Sequence, residues 1–471
     1  MVAYEPRSSG NPNPDRMMEK EMSITDVRNP ERTKVPQDTF VELFTIFIFV
    51  IYAGQANTFV GPLSFGQNPL GAFIPVVLCA ILAIQSRLVF EKKYFILLFG
   101  LACYFIAISI KYKEIHPSFF LTYVYYFSMA YVLIKTLGMR FFRIFERVSF
   151  YMAVIALGFW TLQFILRGDT LFNLISRLPG MSTFSKVTAD GFNIILYSIQ
   201  PAESSLLYNY SIPRNCGYAW EPGAFAVYIC LAIFVNLFMI RPGKPVRTRL
   251  WILILTLVTT QSTTGYLIFL VLIAIYLLRK RLSIIILVLP FTVVAMVYVA
   301  SLPFMSKKVI SLIDDTKGIN QLLEDYYGSE TPASPQRFTS FLIAFVDFKA
   351  NPVLGIGVQS NEAWTFKAGS NISPISGIGN LLAQFGIVGF LFFIILSVRS
   401  SVFFSRYYRY NNILLLFFII AFISISYSIL FHPLITSFWM FHFFAPEKVR
   451  ALARKKSGVF QTEPEPEIEK L

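Results

Sequence analysis

The chain has 471 residues, of which 55% are hydrophobic and 14% charged, and its apolar runs are longer than any soluble core of this size needs, which makes it a polytopic membrane protein. The net charge of +14 does not point to nucleic acid, because the basic residues fall in short loops between apolar runs rather than on one polar domain. Cys79, Cys103 and Cys230 lie within apolar runs and Cys216 stands alone in a loop. No pair has metal or redox spacing, so no disulfide, metal or cofactor is expected.

Residues 1–38 are polar, proline-containing and mixed in charge, without an apolar run of the signal-peptide kind, and read as a disordered cytoplasmic tail ahead of a transmembrane domain over 39–446. Spans are expected near 40–53 and 70–84, after which Arg87, Lys92 and Lys93 mark the cytoplasmic side. Spans near 94–110 and 119–134 enclose a small outer loop and lead to a basic loop with Lys135, Arg140, Arg143 and Arg147. A fifth span near 149–166 opens a first large outer loop, 167–220, which is too polar to lie in lipid. A sixth, 221–240, returns to Arg241, Lys244, Arg247 and Arg249.

The apolar stretch 250–278 is broken by TTQSTTG at 259–265 and is too long for one helix, so two short helices meeting near the outer face are expected. A span near 282–300 opens the second large outer loop, 301–378, where apolar residues from Val309 to Leu323 recur at near-helical spacing among charges. That pattern reads as an amphipathic helix on the membrane surface. Spans near 380–398 and 413–429 flank a basic loop with Arg399, Arg406 and Arg409, and a short last span near 434–444 precedes a cytoplasmic tail, 447–471. The tally is about twelve transmembrane helices in an all-α fold, with both termini cytoplasmic.

Polar residues concentrate in the outer loops, while most spans lack the mid-span acid that an ion-coupled transporter keeps. No Walker-type loop, paired-acid metal motif or zinc-type histidine pair occurs. In RNCGYAWEPGAFA at 214–226, Arg214, Trp220 and Glu221 arrive together at the lipid edge, and Pro222 and Gly223 start a helix. Placing charge there is costly. The plainer reading makes Glu221 an N-cap and Arg214 an interfacial anchor, but either role needs one residue rather than a cluster. Arg337 lies in SPQRFTSFLIAF at 334–345, where Phe338, Phe341, Leu342 and Phe345 repeat at helical spacing.

Arginine forks match phosphate geometry, so Arg214 and Arg337 are candidates to hold a diphosphate. Alternatively, Arg337 pairs with Glu330 or Asp347 and only fixes its loop. In NPVLGIGVQSN at 351–361, Gly355 and Gly357 suit a tight turn where backbone approaches a ligand, with Asn361 beside them as a binding candidate. Glu221 is the first candidate for a catalytic base. His432 is second, its plainer reading being a packed or interfacial histidine.

An arginine ahead of a Glu-Pro-Gly helix start, a Ser/Thr-Gly break between paired spans, an arginine and helix followed by Asn-Pro-x-x-Gly-x-Gly, and NLLAQFGIVG at 380–389 together resemble the O-antigen polymerase and ligase superfamily over about 149–431. The resemblance implies a glycosyltransferase of the GT-C type, acting on an undecaprenyl-diphosphate-linked oligosaccharide at the outer face of the bacterial inner membrane. It implies membrane lipid and a chain-length regulator protein as partners, and no nucleic acid. It also assigns Arg214 and Arg337 to the donor diphosphate. Ligases of the superfamily carry a histidine before the Asn of a His-Asn-x-x-Leu segment, where this chain has Gly379, and the departure favours a polymerase. The alternatives are a ligase delivering glycan to a lipid or protein acceptor, and a non-catalytic flippase or exporter.

Overall fold

The computed structural model describes residues 38–54, 69–177, 185–188, 191–194, 196–200, 212–278, 337–357, 360–370, 372, 375–410, 412–447 and 449–451. The expected N-terminal tail, the span near 282–300, the surface helix beyond it and most of the C-terminal tail lie outside the described residues. In chain order the helices are α1 (Phe40–Gly54), α2 (Pro69–Gln85), α3 (Lys92–Tyr112), α4 (Pro117–Leu137), α5 (Arg140–Leu166) and α6 (Gly168–Ser176). Strands β1 (Ser185–Thr188), β2 (Gly191–Ile194) and β3 (Tyr197–Ile199) follow. Then come α7 (Pro222–Phe238), α8 (Lys244–Thr260), α9 (Thr263–Leu278), α10 (Arg337–Ala350), α11 (Trp364–Lys367), α12 (Gly377–Tyr408), α13 (Leu415–Ser426), α14 (Pro433–Trp439) and α15 (Phe441–Phe444).

Helices α3, α4, α5 and α12 are each long and apolar enough to cross a membrane, and α1, α7, α9, α13 and most of α2 are shorter apolar helices. The chain is thus a mostly helical, multi-pass membrane protein. Helix α7 is its centre. Every side chain from Ala224 to Val235 is fully buried, and α5, α8 and α9 pack around it. A helix apolar on all sides has this position available and few others.

The structure departs from the sequence reading in four places. First, the basic segment before the fifth span is helical, since α5 begins at Arg140. Arg143 and Arg147 share its half-exposed face, while Phe141, Phe142 and Phe145 are buried. Second, that helical extension buries an acid. Glu146 of α5 is fully buried and accepts hydrogen bonds from Asn236 Nδ2 of α7 at 2.7 Å and Arg249 Nε of α8 at 2.9 Å. Third, the fold is not purely α. The first large loop holds an antiparallel sheet in the order β1-β2-β3, with Phe192 opposite Ile199. Tyr197 and Ile199 pack on Leu171 and Ile175 of α6, and the Tyr197 hydroxyl donates to Gln163 Oε1 of α5 at 2.7 Å. Strands of three or four residues are too short to show a period-two pattern.

Fourth, α12 is broken. Gly386 has φ 59° and ψ −160°, outside helical space, and the turn after α10 fills the gap. The Ile356 amide donates to Ala383 O at 2.8 Å, Gly357 N to Gln384 O at 2.9 Å, and Ile387 N to Pro352 O at 2.8 Å. Backbone groups freed by the break are therefore satisfied by the turn, which burial at membrane depth requires. The expected break between α8 and α9 is present, with Gln261 at φ 50° between them.

Candidate functional site

Pro222 starts α7, and Glu221 occupies the N-cap position in an extended conformation, but its carboxylate makes no capping hydrogen bond. It is held instead by Arg337, the first residue of α10, whose Nη2 donates to Glu221 Oε1 at 2.5 Å. The Arg337 guanidinium also lies 4.0 Å above the ring of Tyr427, which caps the end of α13. Tyr427 in turn hydrogen-bonds Glu221 and meets the Trp220 ring edge-on with centroids 5.9 Å apart.

Two glycines make room for this tyrosine, one at its side chain and one at its backbone. A Cβ built on Gly223 would fall 1.9 Å from the Tyr427 hydroxyl, and one on Gly377 would fall 2.1 Å from its carbonyl oxygen. The first turns of α7, α10 and α12 therefore meet at Tyr427, and helix N-termini favour negative charge. The Glu221 and Arg337 side chains remain 28% and 32% exposed, so a ligand can reach the pair.

Arg214 approaches from the side of α8. Its Nε and Nη2 donate to Thr260 O and Gln261 O at 3.4 Å each, at the negative end of that helix. Asn215 pins the segment through Thr259, with its amide on Thr259 O at 3.0 Å and its Nδ2 on Thr259 Oγ1 at 2.9 Å. Both arginines are near enough to the Tyr427 hydroxyl to act on it electrostatically.

Among the remaining candidates, Gly355, Gly357, Asn361 and His432 make contacts of other kinds. Gly355 and Gly357 make the close backbone approach predicted for them, but to α12: a Cβ on Gly355 would lie 2.4 Å from Gln384 O. Their positive φ of 73° and 67° serves the break at Gly386. Asn361 is exposed in a single 3-10 turn, Ser360–Glu362. His432 caps α14 and is buried between the rings of Tyr52 and Tyr126, with centroids 5.8 and 5.7 Å away. Trp220 is in contact with the cluster, and its amide donates to Gly54 O at 3.0 Å.

The plainer alternatives are resolved residue by residue. Arg337 does pair with an acid, but with Glu221 rather than Asp347. Asp347 accepts the Trp364 amide at 2.7 Å, and burial raises its carboxyl above the usual range against the opposing pull of that bond and of Lys367. Glu330 lies outside the described residues. The phenylalanine stripe of α10 is not its buried face. Thr339, Ser340, Ile343, Ala344 and Asp347 are buried against the fold, while Phe338 is exposed. Small residues let α10 lie close to α12, where a Cβ on Gly379 would be 3.0 Å from the Ala344 Cβ.

Tyr427 is the residue sequence reasoning missed. It stands inside an apolar stretch, and the available signal was the run of Ser424, Ser426 and Ser428 around it, unusually polar for the end of a span. Residues 249–394 match the family model for O-antigen ligase, a segment from α8 into α12 that contains Arg337 and Gly379 but neither Arg214, Glu221 nor Tyr427. No curated protein matches the chain. The segment that delivers Arg337 to Glu221 is thus similar to the O-antigen ligase family over residues 249–394, which supports a place in the O-antigen polymerase and ligase superfamily.

Proposed function

We propose that this protein is a surface-polysaccharide polymerase of the GT-C type, joining undecaprenyl-diphosphate-linked repeat units at the outer face of the inner membrane. The family acts on lipid-linked glycans, which supports a lipid diphosphate donor. The observation that carries the reading is the Arg337–Glu221 pair stacked on Tyr427 beside Arg214, at the converging first turns of α7, α10 and α12.

In this proposal a sugar hydroxyl of one lipid-linked unit attacks the anomeric carbon of another, and the bond from that carbon to the diphosphate breaks. The diphosphate leaves with the bonding electrons, and Arg337 and Arg214 neutralise the charge that develops on it, so the step is written without a metal. The hydroxyl proton passes to the Glu221 carboxylate. Tyr427 positions both halves of the pair, through its hydroxyl on Glu221 and its ring beneath Arg337. A single displacement inverts the anomeric centre. Gly379 stands where ligases of the superfamily carry a histidine, which favours polymerase over ligase, and it lets α10 lie close to α12 through Ala344.

The deciding experiment supplies purified protein in membranes with one lipid-linked repeat unit. A ladder of longer lipid-linked products supports the polymerase. Transfer that occurs only when a separate lipid or protein acceptor is added would make it a ligase, and movement of glycan across the bilayer without bond formation would make it an exporter.

A further inference from the structure

The far end of α12 carries a second cluster of charge that the glycan chemistry does not use. Arg399 and Arg406 lie two turns apart on one face of α12, with Val402 and Phe403 between them. Helix α15 is fastened to this part of α12 by the His442 amide, which donates to Ser400 Oγ at 3.1 Å, and its imidazole lies 5.8 Å from the Phe403 ring. Arg450 follows and completes the wall of a cavity of about 240 Å³, lined by all three arginines and His442.

Two features of this cavity are unfavourable as it stands. Three arginines line one small space, and their like charges are screened only in part by the solvent that reaches Arg399 and Arg406. Arg450 Nε and Nη2 are also buried without a hydrogen-bond partner. The nearest paired carboxylate, Glu447, is 3.6 Å from Nη2 and has a side chain 88% exposed, too loose and too wet to satisfy them. Lys93 adds positive charge nearby. A compact anion with several acceptor oxygens would relieve both the repulsion and the orphaned N–H groups. The volume is below the ~300–1,000 Å³ typical of sites for drug-sized ligands, which fits a head group rather than a whole nucleotide sugar.

We propose that this pocket binds a phosphate group, carried by an anionic phospholipid or free as inorganic phosphate. Basic pockets between membrane helices take phospholipid head groups in this way, and the Val402 and Phe403 wall would lie along attached hydrocarbon.

The test uses the full chain in detergent, titrated separately with phosphatidylglycerol and with inorganic phosphate, and read by native mass spectrometry and binding calorimetry. Arg399 and Arg406 are exposed, so R399Q/R406Q keeps the fold, checked by its elution profile, and should bind at least ~10-fold more weakly than wild type. R450Q should lose a similar factor. Binding of phosphatidylglycerol that inorganic phosphate does not displace assigns the site to lipid, whereas binding of inorganic phosphate alone, lost in the variants, assigns it to the free anion. Equal binding of both probes by wild type and R399Q/R406Q overturns the proposal. Neither outcome depends on glycan transfer at Arg337.

Discussion

At the scale of single residues, the cluster depends on what arginine can do and lysine cannot. The Arg337 guanidinium gives one N–H to Glu221 and a flat face to Tyr427, and a planar fork keeps further donors for a ligand. An ammonium group is a point charge and holds only one of these contacts well. R337K should therefore lose product ladder formation by about 10²-fold or more, close to R337A, while protein level and solubility stay as in wild type. Y427F separates the two uses of the tyrosine. It keeps the ring beneath Arg337 but removes the hydroxyl from Glu221, so it should fall between wild type and R337A in the same assay. Activity equal to wild type in R337K would remove the fork argument.

At the scale of elements, the break in α12 links the turn at 351–357 to the site. Gly386 at φ 59° adopts a backbone conformation costly for a residue with a Cβ, and a built Cβ would fall 2.3 Å from Val353 O. G386A should lower the melting temperature and loosen α10, which packs along α12 and begins with Arg337. A cost of roughly 1–3 kcal/mol is expected from the strain alone. Asp347 on the same helix makes this packing depend on pH. Burial raises its carboxyl in the folded state, so the fold binds that proton more tightly than the unfolded chain. The resulting stability is fully present below the unfolded carboxylate pKa and is lost as pH rises through the folded value. D347N keeps an acceptor for the Trp364 amide and cannot ionise, so its melting temperature should gain on wild type as pH rises across that window. Parallel curves would show that Asp347 is not the group responsible.

At the scale of the whole molecule, α7 is clamped at both ends by polar contacts of different kinds. At the end that opens with Pro222, Glu221 is shared with Arg337 and Tyr427 and stays partly open. Toward its other end, Asn236 joins Glu146 and Arg249, and the Glu146 carboxylate is fully buried. The first arrangement leaves donors and acceptors for a ligand, and the second consumes them. E146A would strand Arg249 beside a buried void, a loss of about 3–5 kcal/mol that melting in detergent would record. E146Q retains acceptors for Asn236 and should cost less. If E146A melts with wild type, the buried triad is not structural.

The residues alone determined that the chain crosses a membrane many times, because apolar run length is a direct consequence of bilayer thickness. They also determined the helix start at Pro222 and the break at 259–265, and they singled out Arg214, Glu221 and Arg337 as candidates because charge at a lipid edge is costly. Only the tertiary structure decided which acid Arg337 meets, since Glu221 lies 116 positions away and Asp347 was nearer in the chain. It alone turned Gly355 and Gly357 toward α12, sealed His432 between two tyrosines and brought Tyr427 to the centre. The physical reason is that hydropathy and local spacing record what each segment needs from its solvent, whereas a partner is chosen by packing between segments, which one-dimensional patterns do not encode.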